Sequence, residues 1–127
     1  MKKIMIVDDD PDIRKVIKQA LEFFNEEYYV ICVESGNQCY EMLMETQIPD
    51  LIILDIMMPG MSGWMLTDRL RENPLWRAIP IVFLTGRTDD FAEDVGKKLS
   101  FDFIRKPFDL IDLKKRIDKV FKSQNKI

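Results

Sequence analysis

Five side chains in this sequence could do chemistry together: Asp8, Asp9, Asp55, Thr85 and Lys106. Three carboxylates gathered in one place repel one another, and burial raises their pKa values. A hard divalent cation relieves that repulsion. Mg²⁺ takes oxygen ligands, typically one or two carboxylates with waters and phosphate oxygens. A carboxylate can also act as a nucleophile and form an acyl phosphate. A metal and a lysine then neutralise the charge that builds on the transferring phosphoryl group. Lys106 supplies a compact positive charge, and Thr85 can donate one hydrogen bond. The sequence contains no histidine, which excludes His-based acid–base catalysis, a His-ligated metal and a phosphohistidine carried on these residues.

That chemistry requires the five residues to converge, so the elements that carry them matter. Leu51-Ile52-Ile53-Leu54 is an unbroken apolar run, too short for a globular helix and too apolar to face water on one side. It reads as a strand buried on both faces, as in a parallel sheet. Asp55 stands at its C-terminal end, before the loop marked by Pro59, Gly60 and Gly63. Ligands bind at that end of the strands in open α/β sheets. Ile4 to Val7 is a second such strand and ends at Asp8-Asp9. Asp10 then reads as an N-cap, with Pro11 at the first helical position and Asp12 in the first turn. These roles make Asp10 and Asp12 caps rather than ligands. Ile13, Val16, Ile17, Ala20, Leu21 and Phe24 follow at helical spacing.

Tyr28 to Val33 reads as a β-branched and aromatic strand. Ser35 caps a helix expected to run through about Thr46, with Cys39, Met42 and Leu43 on or near its inner face. A helix from about Gly63 to Glu72 stops at Asn73-Pro74. Ile81 to Leu84 is a fourth strand, ending at Thr85-Gly86. Asp89 or Asp90 begins a helix carrying Phe91, Ala92, Val95 and Leu99. Phe101 to Ile104 is a fifth strand, ending at Lys106-Pro107. Leu110, Leu113, Ile117, Val120 and Phe121 mark a last helix with a basic outer face. The order is βα five times over, which implies a doubly wound parallel sheet with helices on both faces. All five candidate residues then fall at one sheet edge.

The 127 residues suit one domain, large enough to bury roughly two-thirds of its surface. With 46% apolar and 32% charged residues the chain is globular rather than disordered. The net charge of −3 is a mild argument against nucleic acid or anionic membrane as the main partner. No apolar run approaches the length of a membrane span. Met1-Lys2-Lys3 precedes only Ile4 to Val7 before three aspartates, which does not read as a signal peptide. Cys32 and Cys39 fit neither a metal-spaced set nor a disulfide frame. They read as buried or half-buried thiols in a reducing cytoplasm.

Asp-Asp after strand one, Asp with a Met-Pro-Gly loop after strand three, Thr-Gly after strand four and Lys-Pro-Phe after strand five together resemble the receiver domain of two-component response regulators, stand-alone chemotaxis receivers among them. The resemblance covers about residues 1–122 as one receiver domain, with 123–127 left as a polar tail. It implies a flavodoxin-like receiver fold of strand order 2-1-3-4-5 with five helices. It implies that Asp55 is the phosphoacceptor and that Asp8, Asp9, Asp55 and the backbone carbonyl of Met57 bind Mg²⁺. It further implies that Lys106 contacts the phosphoryl group, that Thr85 and Phe103 form a switch pair, and that Met57 and Arg87 tune the phosphoryl lifetime. Implied partners are a histidine kinase or phosphotransfer protein and an output protein the sequence does not name. The sequence departs from the family at Leu99-Ser100-Phe101, where Gly and Ala are common.

Phe103 fits a core position as well as a switch, and Lys114-Lys115-Arg116 reads as a solvated helix face. Met57, Met58, Met61 and Met65 divide between core and surface. Two rival functions remain. A degenerate receiver would serve only as an interaction module, against which the intact acidic set and Lys106 argue. An aspartyl-nucleophile phosphatase would need an acid two residues after Asp55, where Met57 stands. A flavin-binding reading fails for want of a Ser/Thr/Gly-rich phosphate loop after strand one.

Overall fold

The protein is described from a computed structural model, which covers residues 1–86 and 102–124. In chain order the elements are β1 (Lys2–Val7), α1 (Pro11–Phe24), β2 (Tyr28–Val33), α2 (Gly36–Met44), β3 (Leu51–Leu54), α3 (Gly63–Glu72), β4 (Ile81–Thr85), β5 (Asp102–Arg105) and α4 (Leu110–Gln124). All strand pairs are parallel, and the order is β2-β1-β3-β4-β5. This is the flavodoxin-like strand order that the resemblance implies. Four helices lie among the described residues. The helix expected to carry Phe91 to Leu99, and the departure at Leu99-Ser100-Phe101, lie outside them.

The continuous apolar runs are explained by two cores, one on each face of the sheet. Met5, Val7, Ile52, Leu54 and Phe83 pack with Cys39 and Leu43 of α2 and Leu66 and Leu70 of α3. Ile4, Ile6, Leu51, Ile53 and Val82 pack with Ile17 and Leu21 of α1 and Leu113, Ile117 and Phe121 of α4. Successive residues alternate between the two cores because successive side chains in a strand point to opposite faces. Each face is apolar, so every position is apolar.

Local signals set the boundaries. The Asp10 side chain accepts from the Asp12 N–H at 2.9 Å, with Pro11 opening α1. Ser35 and Ser62 cap α2 and α3 through the N–H groups of Gln38 and Met65. α2 stops at Met44, two residues short of the expected Thr46. Thr46 adopts a positive φ of 66°. Its N–H donates to Leu43, and the Gln47 N–H reaches Met42. That paired closure ends a helix with a left-handed residue, a place Gly usually takes. β1 starts at Lys2 because its N–H bonds the Glu27 carbonyl at 2.6 Å.

Two expectations about side chains are corrected. The buried ridge of α1 is Ile17 and Leu21, whereas Val16 and Phe24 are 42% and 40% exposed. Cys32 is exposed, not half-buried, because β2 is an edge strand with no neighbouring strand on its outer side among the described residues. Cys39 is buried, and burial pushes its thiol up to about 12, which makes it inert.

Candidate functional site

The parallel sheet delivers Asp8, Asp55 and Lys106 to one end. The Asp8 N–H bonds the Val33 carbonyl at 3.1 Å and the Asp55 N–H bonds the Val7 carbonyl at 2.9 Å, so each continues its ladder by one residue. The Lys106 N–H bonds the Thr85 carbonyl at 2.8 Å. β1 and β3 are adjacent, which places the two carboxylates side by side. Both are almost wholly buried, Asp8 at 0% and Asp55 at 4% exposure.

The Lys106 ammonium sits between them. Lys106 Nζ lies 2.8 Å from Asp8 Oδ2 and 3.4 Å from Asp55 Oδ2. The exposed Asp9 completes the group. Asp8, Asp9 and Asp55 each offer a carboxylate oxygen within 4.8 Å of the others. Asp10 and Asp12 are not part of this set, in keeping with their capping geometry.

The charges do not balance. Among the described residues three carboxylates face one lysine, and Lys106 is nearer to Asp8. Asp55 is therefore under-compensated. Burial raises its pKa above the ordinary value, the neighbouring Asp8 charge raises it further, and Lys106 with the Met57 N–H only partly offset this. Lys106 is affected the other way. Burial disfavours its charge, but the two carboxylates outweigh that and hold its pKa above the usual lysine range. An all-oxygen donor set of three carboxylates with one solvent-facing member suits a hard divalent cation that keeps several waters.

Met57 donates its N–H to Asp55 Oδ1 at 3.3 Å, which fixes the loop after β3 against the carboxylate. Its side chain projects outward, 62% exposed, as does that of Met65 at 50%, while Met58 and Met61 are buried. Thr85 is fully buried at the end of β4. Phe103 is 6% exposed and packs 6.5 Å, centroid to centroid, from Phe83. Phe83 is also met by the Trp64 ring at 5.0 Å. Phe83 and Thr85 are two residues apart on one strand, so they share a sheet face. Phe83 pairs with Phe103 in register, and that face therefore also holds Phe103. Arg87 lies outside the described residues.

Two further residues shape the site without having stood out in the sequence. Arg14 Nη1 donates to the Asp8 carbonyl oxygen at 2.7 Å, and the Asp10 N–H donates to Asp8 Oδ1 at 2.9 Å. Together they hold both the backbone and side chain of Asp8. Gly63 marks the loop, but its role is steric. A Cβ there would stand 2.5 Å from the Asp55 carbonyl oxygen and 2.8 Å from Ile56 Cα, so only Gly lets α3 begin against the Asp55 backbone.

Comparison with known proteins bears on the family and the fold. Residues 4–118 match the family described as response regulator receiver domain. The phosphate regulon transcriptional regulatory protein PhoB of Pseudomonas aeruginosa is 37% identical over 124 residues, covering 95% of this chain and 52% of PhoB. The 3',5'-cyclic-nucleotide phosphodiesterase regA of Dictyostelium discoideum is 35% identical over 124 residues, covering 95% of this chain but 15% of that enzyme. The chain thus spans about half or less of either protein. Among solved structures, the chemotaxis protein CheY4 of Vibrio cholerae superposes with a TM-score of 0.83 at 27% identity, covering 94% of this chain and 98% of that one.

Proposed function

The chain belongs to the response regulator receiver domain family, and from that premise we propose that it accepts a phosphoryl group on Asp55 and switches a docking surface in response. The observation that carries the proposal is the shared lysine. Lys106 bridges Asp8 and Asp55, leaving a buried carboxylate at a strand end with a cation already aimed at it.

In this reading an Asp55 carboxylate oxygen attacks the phosphorus of a phosphohistidine. The phosphorus–nitrogen bond breaks as the phosphorus–oxygen bond forms, and the leaving imidazole nitrogen takes a proton from water. The donor histidine comes from a kinase or phosphotransfer protein, since these residues include none. Asp8, Asp9, Asp55 and the Met57 carbonyl would hold Mg²⁺, which when bound supplies charge neutralisation for the transferring group. Lys106 swings from Asp8 and Asp55 onto a phosphoryl oxygen. Thr85 donates its hydroxyl to another. The new group carries nearly two negative charges and strong acceptor oxygens, so it draws Thr85 toward it. Phe103, on the same face, moves into the vacated space and shifts the surface beyond.

This chemistry makes the chain a signal carrier rather than an enzyme acting on other substrates. Docking to a partner and passing the group onward are two outputs that this chemistry supports. The absence, among the described residues, of a helix long and apolar enough to cross a membrane is compatible with work in the cytoplasm. Neither rival is favoured. Met57 supplies no carboxylate for a phosphatase, and the acidic set and Lys106 are intact. The test is incubation with acetyl phosphate. A phosphate-sized gain in intact mass that requires Mg²⁺ supports the proposal. No gain, with or without Mg²⁺, refutes it.

A further inference from the structure

The two edge strands of a sheet present unpaired main-chain groups to any passing strand. Here the edges are β2 and β5. β2 reads Tyr-Tyr-Val-Ile-Cys-Val, with no charge, no Pro and no Gly, the composition most prone to pair with a copy of itself. The Val33 carbonyl accepts from Asp8 and so faces β1. Main-chain groups alternate sides along a strand, which turns the N–H and C=O of Val30 outward.

Both outward groups are occupied by side chains of α1. Glu22 Oε2 accepts the Val30 N–H at 2.9 Å, and Lys18 Nζ donates to the Val30 carbonyl at 2.8 Å. The same Nζ donates to Glu22 Oε2 at 2.8 Å and lies 5.2 Å from the Tyr29 ring centroid. The result is a closed ring of hydrogen bonds over the middle of the edge.

The helix itself gains little from this pair. Lys before Glu at i,i+4 is the poorer order, and a carboxylate near the C-terminal end of α1 opposes the helix dipole. Charges placed badly for their own helix and well for a neighbouring strand point to a role at the strand. Burial pushes the Glu22 carboxyl up, but Lys18 and the Val30 N–H outweigh it and hold its pKa below the ordinary value. At the other edge an outward N–H is also occupied, here by a side chain of the strand itself. The Phe103 N–H, which faces away from β4, donates to Asp102 Oδ1 at 2.8 Å, and Arg116 Nη1 holds that same oxygen at 2.9 Å.

We propose that Lys18 and Glu22 form an edge guard, which occupies the outward main-chain groups of β2 and prevents that strand from pairing with β2 of a second copy of this chain. Two identical edges meet antiparallel about a twofold axis, and the closed contact stops at a dimer. The guard is remote from the carboxylate site, so removing it leaves that site intact.

The experiment compares wild type with the double variant Lys18→Ala/Glu22→Ala by sedimentation equilibrium across a concentration series, with amide exchange read by NMR. Wild type should be monomeric, with the Val30 amide protected although it faces away from the sheet. The double variant should dimerise, with Val30 protected again only in the dimer. A folded double variant that stays monomeric at every concentration overturns the proposal, as does a dimer whose Val30 amide exchanges freely. Should the double variant not fold, Glu22→Ala alone decides. Its Val30 amide should exchange roughly tenfold faster or more, and an unchanged rate rejects the guard.

Discussion

Replacing Lys106 by Met tests the electrostatic logic of the site most sharply. The substitution keeps an unbranched stem and removes one charge. At an effective dielectric of about 20, charges separated by 2.8 Å and 3.4 Å attract by roughly 6 and 5 kcal/mol. Most of that gross attraction offsets the cost of taking the ammonium and carboxylates out of water. Breaking such a pair and leaving its partners unpaired typically costs about 3–5 kcal/mol. The lysine side chain is 22% exposed, so the low end, about 3 kcal/mol, applies. With a urea m-value of about 1.5 kcal/mol/M, the midpoint should fall by about 2 M at pH 7 without Mg²⁺. Lowering the pH to 5 should shrink the deficit, because without its lysine Asp55 takes up a proton more readily. Mg²⁺ should then restore more stability to the variant than to wild type, since it no longer shares the carboxylates with an ammonium. A tenfold gain in Mg²⁺ affinity corresponds to about 1.4 kcal/mol. The assay is urea unfolding at both pH values across a Mg²⁺ titration. A variant as stable as wild type, or one that binds Mg²⁺ no more tightly, would show that Lys106 does not hold the carboxylates together.

Asp55→Asn should stabilise the metal-free protein. The folded pKa of Asp55 lies above its ordinary 3.8, so its favourable contribution is present below that pH and is lost as pH rises through the folded pKa. The advantage of the Asn variant should therefore widen from about pH 4 upward, and a constant gap in thermal melts would contradict the sign. Thr85→Ala should still accept phosphate but lose most of the amide-shift response around Phe103; an unchanged response removes Thr85 from the switch. Met57→Asn should hasten loss of the phosphoryl group, because the thioether is a weak acceptor that cannot hold water in line with the Asp55–phosphorus bond, whereas an amide can. About 1 kcal/mol of added transition-state stabilisation gives roughly a fivefold faster decay, followed after donor removal with Mg²⁺ present. Equal or slower decay would show that Met57 does not limit water access.

Much of this molecule was legible because the signals were redundant. Ile4 to Val7 and Leu51 to Leu54 had to be doubly buried strands, and the two interleaved cores are the reason. Asp10 with Pro11, Ser35 and Ser62 are starts that need only local chemistry. Other features depend on partners distant in sequence. Thr46 ends α2 with a left-handed backbone that its β-branched side chain disfavours, so composition alone extends the helix too far. Cys32 looks like a core thiol until β2 proves to be the edge strand. Arg14 reaches the Asp8 carbonyl because of how α1 turns, and nothing in the spacing marks it out. The acidic cluster was readable as residue types at strand ends. The sharing of Lys106 between Asp8 and Asp55 needs the strand order, which the sequence supplied only through resemblance. Arg87 and the expected helix to Leu99 lie outside the described residues.

Asp55 as the carrier of the phosphoryl group can be located chemically. An acyl phosphate, unlike a phosphate ester, is reduced by borohydride, which converts the aspartate that bore it into homoserine. Treating the protein with acetyl phosphate and Mg²⁺, reducing it, and mapping the peptide that spans Leu51 to Gly63 locates the modified residue directly. Homoserine should appear at position 55, dependent on Mg²⁺ and absent from Asp55→Asn. Homoserine at position 8 or 9, or none anywhere after a confirmed gain of phosphate mass, would contradict it.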